Sequence, residues 1–86
     1  MSYQVTILPS AQRELGRLPA QERRRVDKRI QALAFDPRPP GAIAMQGSSK
    51  GLLRFRAGDY RIIYQVEDKR LMIVVVKVGH RRDIYR

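Results

Sequence analysis

Alternating apolar and polar residues predict strands near the start of the chain and throughout its second half. The segment YQVTIL, residues 3–8, alternates and is rich in β-branched residues, so it predicts a first strand. Two further alternating segments flank a Gly-Asp dipeptide at residues 58–59 that suits a type II′ turn, and they predict a hairpin over residues 52–66. The apolar run LMIVVVKV, residues 71–78, predicts an interior strand that ends at Gly79.

Helical periodicity lies between the first strand and the hairpin. Ser10 is suited to accept a hydrogen bond as the N-cap of a short helix that ends near Gly16. A second helix is predicted from Pro19 or Ala20 to about Phe35, because proline is tolerated in a first helical turn. The apolar stripe of this second helix consists of Val26, Ile30 and Leu33.

The segment 36–51 is rich in proline and glycine, so it predicts an irregular connector with at most a brief strand or turn at residues 42–45. The resulting order is β-α-α-β-β-β. We therefore predict an α+β fold in which an N-terminal strand and a helical hairpin pack on a mostly antiparallel four-stranded sheet. With 86 residues, the chain is predicted to form one domain, residues 1–86, that has no room for a second core.

The predicted hairpin separates its residues into two faces. A turn at residues 58–59 sets Arg56 opposite Arg61, and directly opposed residues share a face. The predicted core face carries Leu53, Phe55, Ala57, Tyr60, Ile62 and Tyr64. The other face presents Arg54, Arg56 and Arg61 together, and like charges across a strand pair destabilise it. An anionic partner would relieve this repulsion; alternatively, the arginines only keep an outer face soluble.

The charge of the chain indicates which classes of partner it could bind. Eighteen Lys and Arg against eight Asp and Glu give a net charge of +10, which favours nucleic acid, an acidic protein or an anionic membrane. Arginine predominates, and its planar fork suits phosphate. The absence of cysteine excludes disulfides and thiolate metal sites, and with one histidine we expect no metal and no cofactor.

The first ten residues lack the apolar core of a signal peptide, and the run 71–76 is too short to span a bilayer. We therefore expect a cytoplasmic protein with no membrane partner. The charged run at residues 22–29 in the second helix is most simply a solvated face. The alternative is that its basic residues, including Arg24 and Lys28, dock onto a large polyanion.

The order of elements, the segment GLLRFRAGDYRIIYQV and the closing VGHRRDIYR resemble the RelE toxins of the RelE/ParE superfamily of bacterial toxin-antitoxin systems. The similarity covers nearly the whole chain. Members of one branch cleave messenger RNA in the ribosomal A site, and members of the other poison DNA gyrase on the same fold, so fold alone does not choose between them. Resemblance to RelE implies a metal-independent endoribonuclease in which the RNA 2′-hydroxyl attacks the adjacent phosphate.

The resemblance also implies site residues. The family's basic residues on the hairpin correspond to Arg54, Arg56 and Arg61, and its closing arginine and tyrosine correspond to Arg81 and Tyr85. Fixed guanidinium groups would stabilise charge on the equatorial phosphate oxygens, and Tyr85 could act as a base because surrounding arginines favour the phenolate. His80 is a further acid-base candidate. The predicted RNA- and ribosome-binding residues are Arg54, Arg56, Arg82, Lys28 and Arg24.

The partners implied are the ribosome, messenger RNA and an acidic RelB-like antitoxin, which would bind the basic face through an amphipathic helix. Operator DNA would be bound only as a complex with the antitoxin. Two alternatives stay open at this point. One is a gyrase inhibitor of the ParE type, and the other is a non-catalytic module that binds nucleic acid or antitoxin.

Overall fold

A computed structural model, which describes residues 2–80, shows two helices packed on one face of a five-stranded sheet. The elements are β1 (Gln4–Ile7), α1 (Pro9–Gly16), α2 (Ala20–Ala32), β2 (Ile43–Ala44), β3 (Leu53–Ala57), β4 (Tyr60–Glu67) and β5 (Met72–His80). The strand order is β1-β5-β4-β3-β2, with β1 parallel to β5 and the other pairs antiparallel. The α+β class is confirmed. The predicted number of strands was wrong by one, because the connector contributes β2.

Both helices differ at one end from the prediction. The proposed N-cap at Ser10 is wrong: α1 already begins at Pro9, whose fixed φ suits a first helical turn, so Ser10 lies inside the helix. The N-cap position belongs to Leu8, and no side chain caps it. The second helix ends at Ala32 and not near Phe35, which is 79% exposed and so offers no core contact that would extend the helix.

The β3–β4 hairpin has the predicted register at every pair. Gly58 has a φ of +64°, whereas the φ of Asp59 is not positive. A type II′ turn requires this combination. A Cβ at this position would also lie 3.0 Å from Nη1 of Arg25 on α2, so the side chain of Arg25 would have to shift slightly. The turn therefore lies within reach of the Arg25 side chain of the second helix.

A β-bulge interrupts the pairing of β4 with β5. Ile63 of β4 lies opposite Lys77 of β5. The next residue, Tyr64, lies opposite Val75, so Val76 is an extra residue in β5. The bulge changes the parity of the core-facing positions along β5, from odd-numbered residues before it to an even-numbered residue after it. The buried residues of β5 are Ile73, Val75 and Val78.

The core lies between the helices and the sheet, and its fully or almost fully buried residues are Ala11, Val26, Ile30, Leu33, Phe55, Ala57, Ile62, Tyr64, Ile73, Val75 and Val78. The hydroxyl of Tyr64 donates a 2.7 Å hydrogen bond to the carbonyl oxygen of Pro37, which attaches the connector to the core. No helix in the described range is long and apolar enough to cross a membrane. The strand β5 continues to His80, one residue beyond its predicted end at Gly79.

Candidate functional site

Three arginine side chains meet on the sheet face that the helices leave open. Arg54 and Arg56 project from β3, and Arg61 lies opposite Arg56 on β4. Their neighbours Phe55 and Ile62 point the other way, into the core beneath the helices. The three arginines line a shallow cavity of about 250 Å³, together with Gly41 and Ile43, and we call this cavity the arginine pocket.

The charges of the arginine pocket are partly withdrawn from water. Arg54 and Arg61 are half-buried, whereas Arg56 is exposed. The Nη1 atom of Arg61 is buried, and Nε of Arg56 donates a 2.9 Å hydrogen bond to the carbonyl oxygen of Gly58, which orients its guanidinium. Reduced solvent contact strengthens both the repulsion between cations and their attraction for an anion. The pocket is therefore suited to an oxyanion such as a phosphate group.

The connector supplies the uncharged wall of the arginine pocket. Ile43 of β2 pairs with Arg54 of β3 and is 49% exposed, and Gly41 adopts a φ of +95°. A Cβ at Gly41 would lie 3.9 Å from the Phe55 ring, so this part of the connector packs close to the sheet. Reasoning from the sequence assigned no chemistry to this segment. The only signal was the short apolar stretch at residues 42–45, which also allowed a turn.

His80 does not join the arginine pocket. It lies opposite Tyr60, and the two rings make an edge-to-face contact with centroids 5.5 Å apart. The residue opposite Arg61 is Gly79, so the imidazole and the arginine side chains belong to opposite faces of the sheet. His80 instead borders a second cavity of about 300 Å³ beside α1, which Glu14 and other residues also line.

The predicted RNA- and ribosome-binding residues are divided between two surfaces. Arg54 and Arg56 lie in the arginine pocket, whereas Arg24 and Lys28 are exposed on α2 in the opposite layer. The basic run of α2 therefore forms a surface of its own on the helical side. Three predicted site residues, Arg81, Arg82 and Tyr85, lie outside the described residues.

A further polar cluster lies at the β4–β5 turn. Asp68 accepts a 2.7 Å hydrogen bond from the hydroxyl of Tyr3 and two hydrogen bonds, of 3.2 and 3.0 Å, from the guanidinium of Arg38. The hydrogen bonds from Arg38, and next that from Tyr3, lower the pKa of Asp68, and the hydrogen bond to Asp68 raises the pKa of Tyr3. This cluster ties the chain start, the connector and the turn together.

Comparison with known proteins places the chain among toxins. The family described as ParE toxin of type II toxin-antitoxin system, parDE, has a model that matches residues 5–85. Toxin RelG of Mycobacterium tuberculosis is 31% identical over 90 residues, which cover 100% of this chain and 99% of that protein. The likeness therefore extends over both chains from end to end.

Solved structures agree with the sequence relatives. A chain in the archaeal RelE-RelB complex from Pyrococcus horikoshii OT3 is 32% identical, with a TM-score of 0.82 and coverage of 96% of this chain and 99% of that chain. A chain in the toxin-antitoxin complex RelBE2 from Mycobacterium tuberculosis is 26% identical, with a TM-score of 0.85 and coverage of 94% and 100%. The same fold thus occurs in proteins that were crystallised within toxin-antitoxin complexes.

Proposed function

Because this chain belongs to the RelE/ParE superfamily of type II toxin-antitoxin toxins, we propose that it acts in the cytoplasm as a ribosome-dependent messenger RNA endoribonuclease. The observation that carries the proposal is the convergence of Arg54, Arg56 and Arg61 in one pocket on the open face of the sheet. Three cations held together from two adjacent strands suit a group on which negative charge accumulates. The scissile phosphate of an RNA is such a group.

In the proposed reaction, the RNA 2′-oxygen forms a bond to the adjacent phosphorus while the bond from phosphorus to the 5′-oxygen breaks. The products are a 2′,3′-cyclic phosphate and a 5′-hydroxyl. Arg54, Arg56 and Arg61 stabilise the equatorial oxygens more strongly in the transition state than in the substrate, because charge on these oxygens increases as the bond forms. No metal or cofactor takes part in this scheme.

Two residues of the closing segment complete the scheme. Tyr85 accepts the 2′-hydroxyl proton, since arginines around it would favour the phenolate form. Arg81 stabilises the charge on the leaving 5′-oxygen, which takes a proton from solvent water to become the 5′-hydroxyl. His80 is left out of the scheme, because its ring contacts Tyr60 on the other face of the sheet. Each acid or base typically contributes about 10² to 10⁴ in rate.

The second basic surface is proposed to bind the ribosome. Arg24 and Lys28 are exposed on α2, away from the arginine pocket, so they can contact a second polyanion while the pocket holds the message. Arg82 is proposed to bind RNA or the ribosome as well. This division of charge between two layers would allow the protein to contact messenger RNA and ribosomal RNA at the same time.

We further propose a RelB-like antitoxin of acidic character as partner, because a chain of the archaeal RelE-RelB complex is similar to this protein. A net charge of +10 favours an acidic segment, and an amphipathic helix would both neutralise the basic face and block access to it. Operator DNA is then bound only through the antitoxin complex. A pull-down from the native cells that recovers no acidic companion contradicts this part of the proposal.

Primer extension on messenger RNA tests the nuclease. Wild-type protein added to a translation reaction should produce cuts within codons, and Arg61→Ala and Tyr85→Phe should each lose them. Arg13→Ala is the matched control, because Arg13 is an exposed arginine of α1 outside the proposed site. Intact messages in an active translation reaction that contains the wild-type toxin would overturn the proposal.

Gyrase inhibition is the second candidate, since the matching family model carries the ParE name. In that case the open sheet face would be a protein-binding surface. Gyrase-linked DNA breaks after induction, with intact messages, would select this function. Normal growth after induction of verified folded protein would instead indicate a non-catalytic binding module.

A further inference from the structure

The last part of β5 extends beyond the strand that flanks it. β1 pairs with β5 only as far as Ile7 opposite Val75, and N–H of Leu8 donates a final 3.0 Å hydrogen bond to the carbonyl oxygen of Val75. The chain then enters α1 at Pro9, which has no N–H to donate. Within residues 2–80, therefore, no strand flanks the end of β5 on the β1 side.

Beyond the end of β1, the carboxylate of Glu14 on α1 lies beside β5 where a neighbouring strand would otherwise pair. Oε1 of Glu14 accepts a 3.0 Å hydrogen bond from the backbone N–H of Val78, and Oε2 lies 3.3 Å from Nζ of Lys77. The Glu14 side chain is 27% exposed. A hydrogen bond from a backbone N–H to an ionised carboxylate is shorter and stronger than one between neutral groups. Glu14 thus satisfies a donor that a longer β1 would have satisfied.

The segment held by Glu14 adjoins the proposed site. Gly79 follows Val78 and lies opposite Arg61, so the backbone of β5 at this point supports an arginine of the pocket. The chain then continues from His80 directly into the proposed Arg81. Gly79 itself adds conformational freedom here, because it has no Cβ. Without the Glu14 hydrogen bond, this end of β5 would be paired only with β4.

We infer that Glu14 is a positioning residue for the proposed nuclease. Its carboxylate fixes the end of β5, so that the backbone at Val78 and Gly79 holds Arg61, which lies opposite Gly79, in the position that the reaction needs. Glu14 touches no substrate in this account. The inference rests on the proposed function for its chemistry and on the hydrogen bond to Val78 for its geometry.

A simple ion pair with Lys77 would be a different role. Surface pairs of this kind contribute little, and the side chain of Lys77 is 47% exposed. Two variants distinguish these roles, because each removes a different interaction of Glu14. Lys77→Met removes the ion pair and leaves the Glu14 hydrogen bond, whereas Glu14→Gln removes the charge and keeps an oxygen that accepts from Val78.

The experiment compares Glu14→Ala, Glu14→Asp, Glu14→Gln and Lys77→Met with wild type in the translation reaction. Aspartate is one methylene too short to reach Val78, so Glu14→Ala and Glu14→Asp should both cleave more slowly at saturating ribosomes, by about 10- to 100-fold, because small misplacements are costly in catalysis. The ribosome concentration that gives half the maximal rate should not change. Glu14→Gln should recover most of the rate, and Lys77→Met should match wild type.

Amide hydrogen exchange supplies the second measurement. The Val78 amide should exchange faster in Glu14→Ala and Glu14→Asp than in Glu14→Gln or wild type, and Glu22→Ala controls for loss of another helical carboxylate. Wild-type cleavage by Glu14→Ala or Glu14→Asp despite faster Val78 exchange would overturn the inference. Glu14→Gln that cleaves as slowly as Glu14→Ala would also overturn it.

Failure of the proposed nuclease is separable from failure of this inference. If the wild-type protein arrests growth but leaves messages intact, the nuclease proposal fails, and the same four variants are then ranked by growth arrest. Weaker growth arrest by Glu14→Ala and Glu14→Asp would still support positioning by Glu14, provided that Glu14→Gln and Lys77→Met arrest growth as the wild type does. Equal growth arrest by all four variants would overturn it.

Discussion

Arg56 and Arg61 lie directly opposite each other in the β3–β4 hairpin, so that two guanidinium groups share one cross-strand position. Like charges at such a position destabilise a strand pair by a few tenths to about 1 kcal/mol. The hairpin forms in spite of this repulsion because the adjacent residues Ala57 and Ile62, which face the helices, are both 0% exposed. Core burial thus maintains a charge arrangement that favours an anion.

The repulsion between these two arginines should be measurable by a double-mutant cycle with Arg56→Gln and Arg61→Gln. The cycle isolates the pairwise free energy, because effects of each side chain on its other contacts cancel. We expect a repulsive coupling of a few tenths to about 1 kcal/mol in urea unfolding at low salt. Added salt should reduce it, since screening weakens interactions between solvent-accessible charges. A coupling that is attractive, or that does not respond to salt, contradicts this prediction.

Gly58→Ala should destabilise the fold through the hairpin turn. The φ of +64° at this position is in the left-handed region, where a side chain costs about 1–2 kcal/mol, and the new Cβ would lie 3.0 Å from Arg25. Gly16→Ala is the matched control, because a Cβ at Gly16 would meet no neighbouring side chain within 4 Å and alanine favours helix by about 1 kcal/mol. Urea unfolding should show a loss for Gly58→Ala and no loss for Gly16→Ala. An equal loss in both would contradict the turn assignment.

Tyr64→Phe should weaken the attachment of the connector. The variant removes the 2.7 Å hydrogen bond to the carbonyl oxygen of Pro37, at a cost of about 1 kcal/mol. Burial raises the pKa of Tyr64 from 10.0 to about 12, so the folded state keeps this proton at a pH where the unfolded state releases it. The corresponding stability is complete below pH 10 and is lost as the pH rises towards 12. Between pH 10 and 12 the free energy of unfolding should therefore fall less steeply with pH for Tyr64→Phe than for wild type. Equal slopes would contradict the assignment.

Asp68→Asn should lower the free energy of unfolding at neutral pH and have less effect in acid. The hydrogen bonds from Arg38 and Tyr3 hold the pKa of Asp68 below its ordinary value of 3.8, so the stability they supply is present above that value. This stability is lost as the pH falls through the lower pKa of the folded state. The gap between wild type and Asp68→Asn in urea unfolding should therefore close in acid.

Two further variants, Arg38→Gln and Tyr3→Phe, measure how much each partner of Asp68 contributes to the acid dependence of the free energy of unfolding. The hydrogen bonds from Arg38 are the largest cause of the lowered pKa, so Arg38→Gln should remove more of the acid dependence than Tyr3→Phe. The reverse order would show that the phenol is the stronger partner. An acid dependence that neither variant changes would place its origin elsewhere in the chain.

The hairpin was predictable because its determinants are local. The turn dipeptide and the alternation on either side fix the register, and the register alone brings Arg56 and Arg61 together. The bulge at Val76 was not predictable, because residues 71–76 are all apolar and a single polar residue, Lys77, does not show that the core-facing parity changes before it. The short β2 was equally hidden, since a two-residue strand is defined by its pairing and not by its own pattern.

Contacts between distant segments were the other part that the sequence did not reveal. Glu14 and Val78 are 64 positions apart, and a glutamate near the end of a short helix carries no sign of a backbone partner. The position of His80 illustrates the same limit. As the only histidine of the chain it was a candidate for acid-base chemistry at the predicted site, whereas alternation from the buried Val78 assigns it to the face of Tyr60.

The two-residue pairing of β2 has a consequence for how this scaffold can diversify. Ile43 and Ala44 are the whole of the connector's ladder to β3, yet the same segment forms one side of the arginine pocket. Exchanges in this segment can reshape the rim of the arginine pocket while the buried layer between helices and sheet stays intact. The shape of the arginine pocket and the packing of the core are therefore set by different segments of the chain.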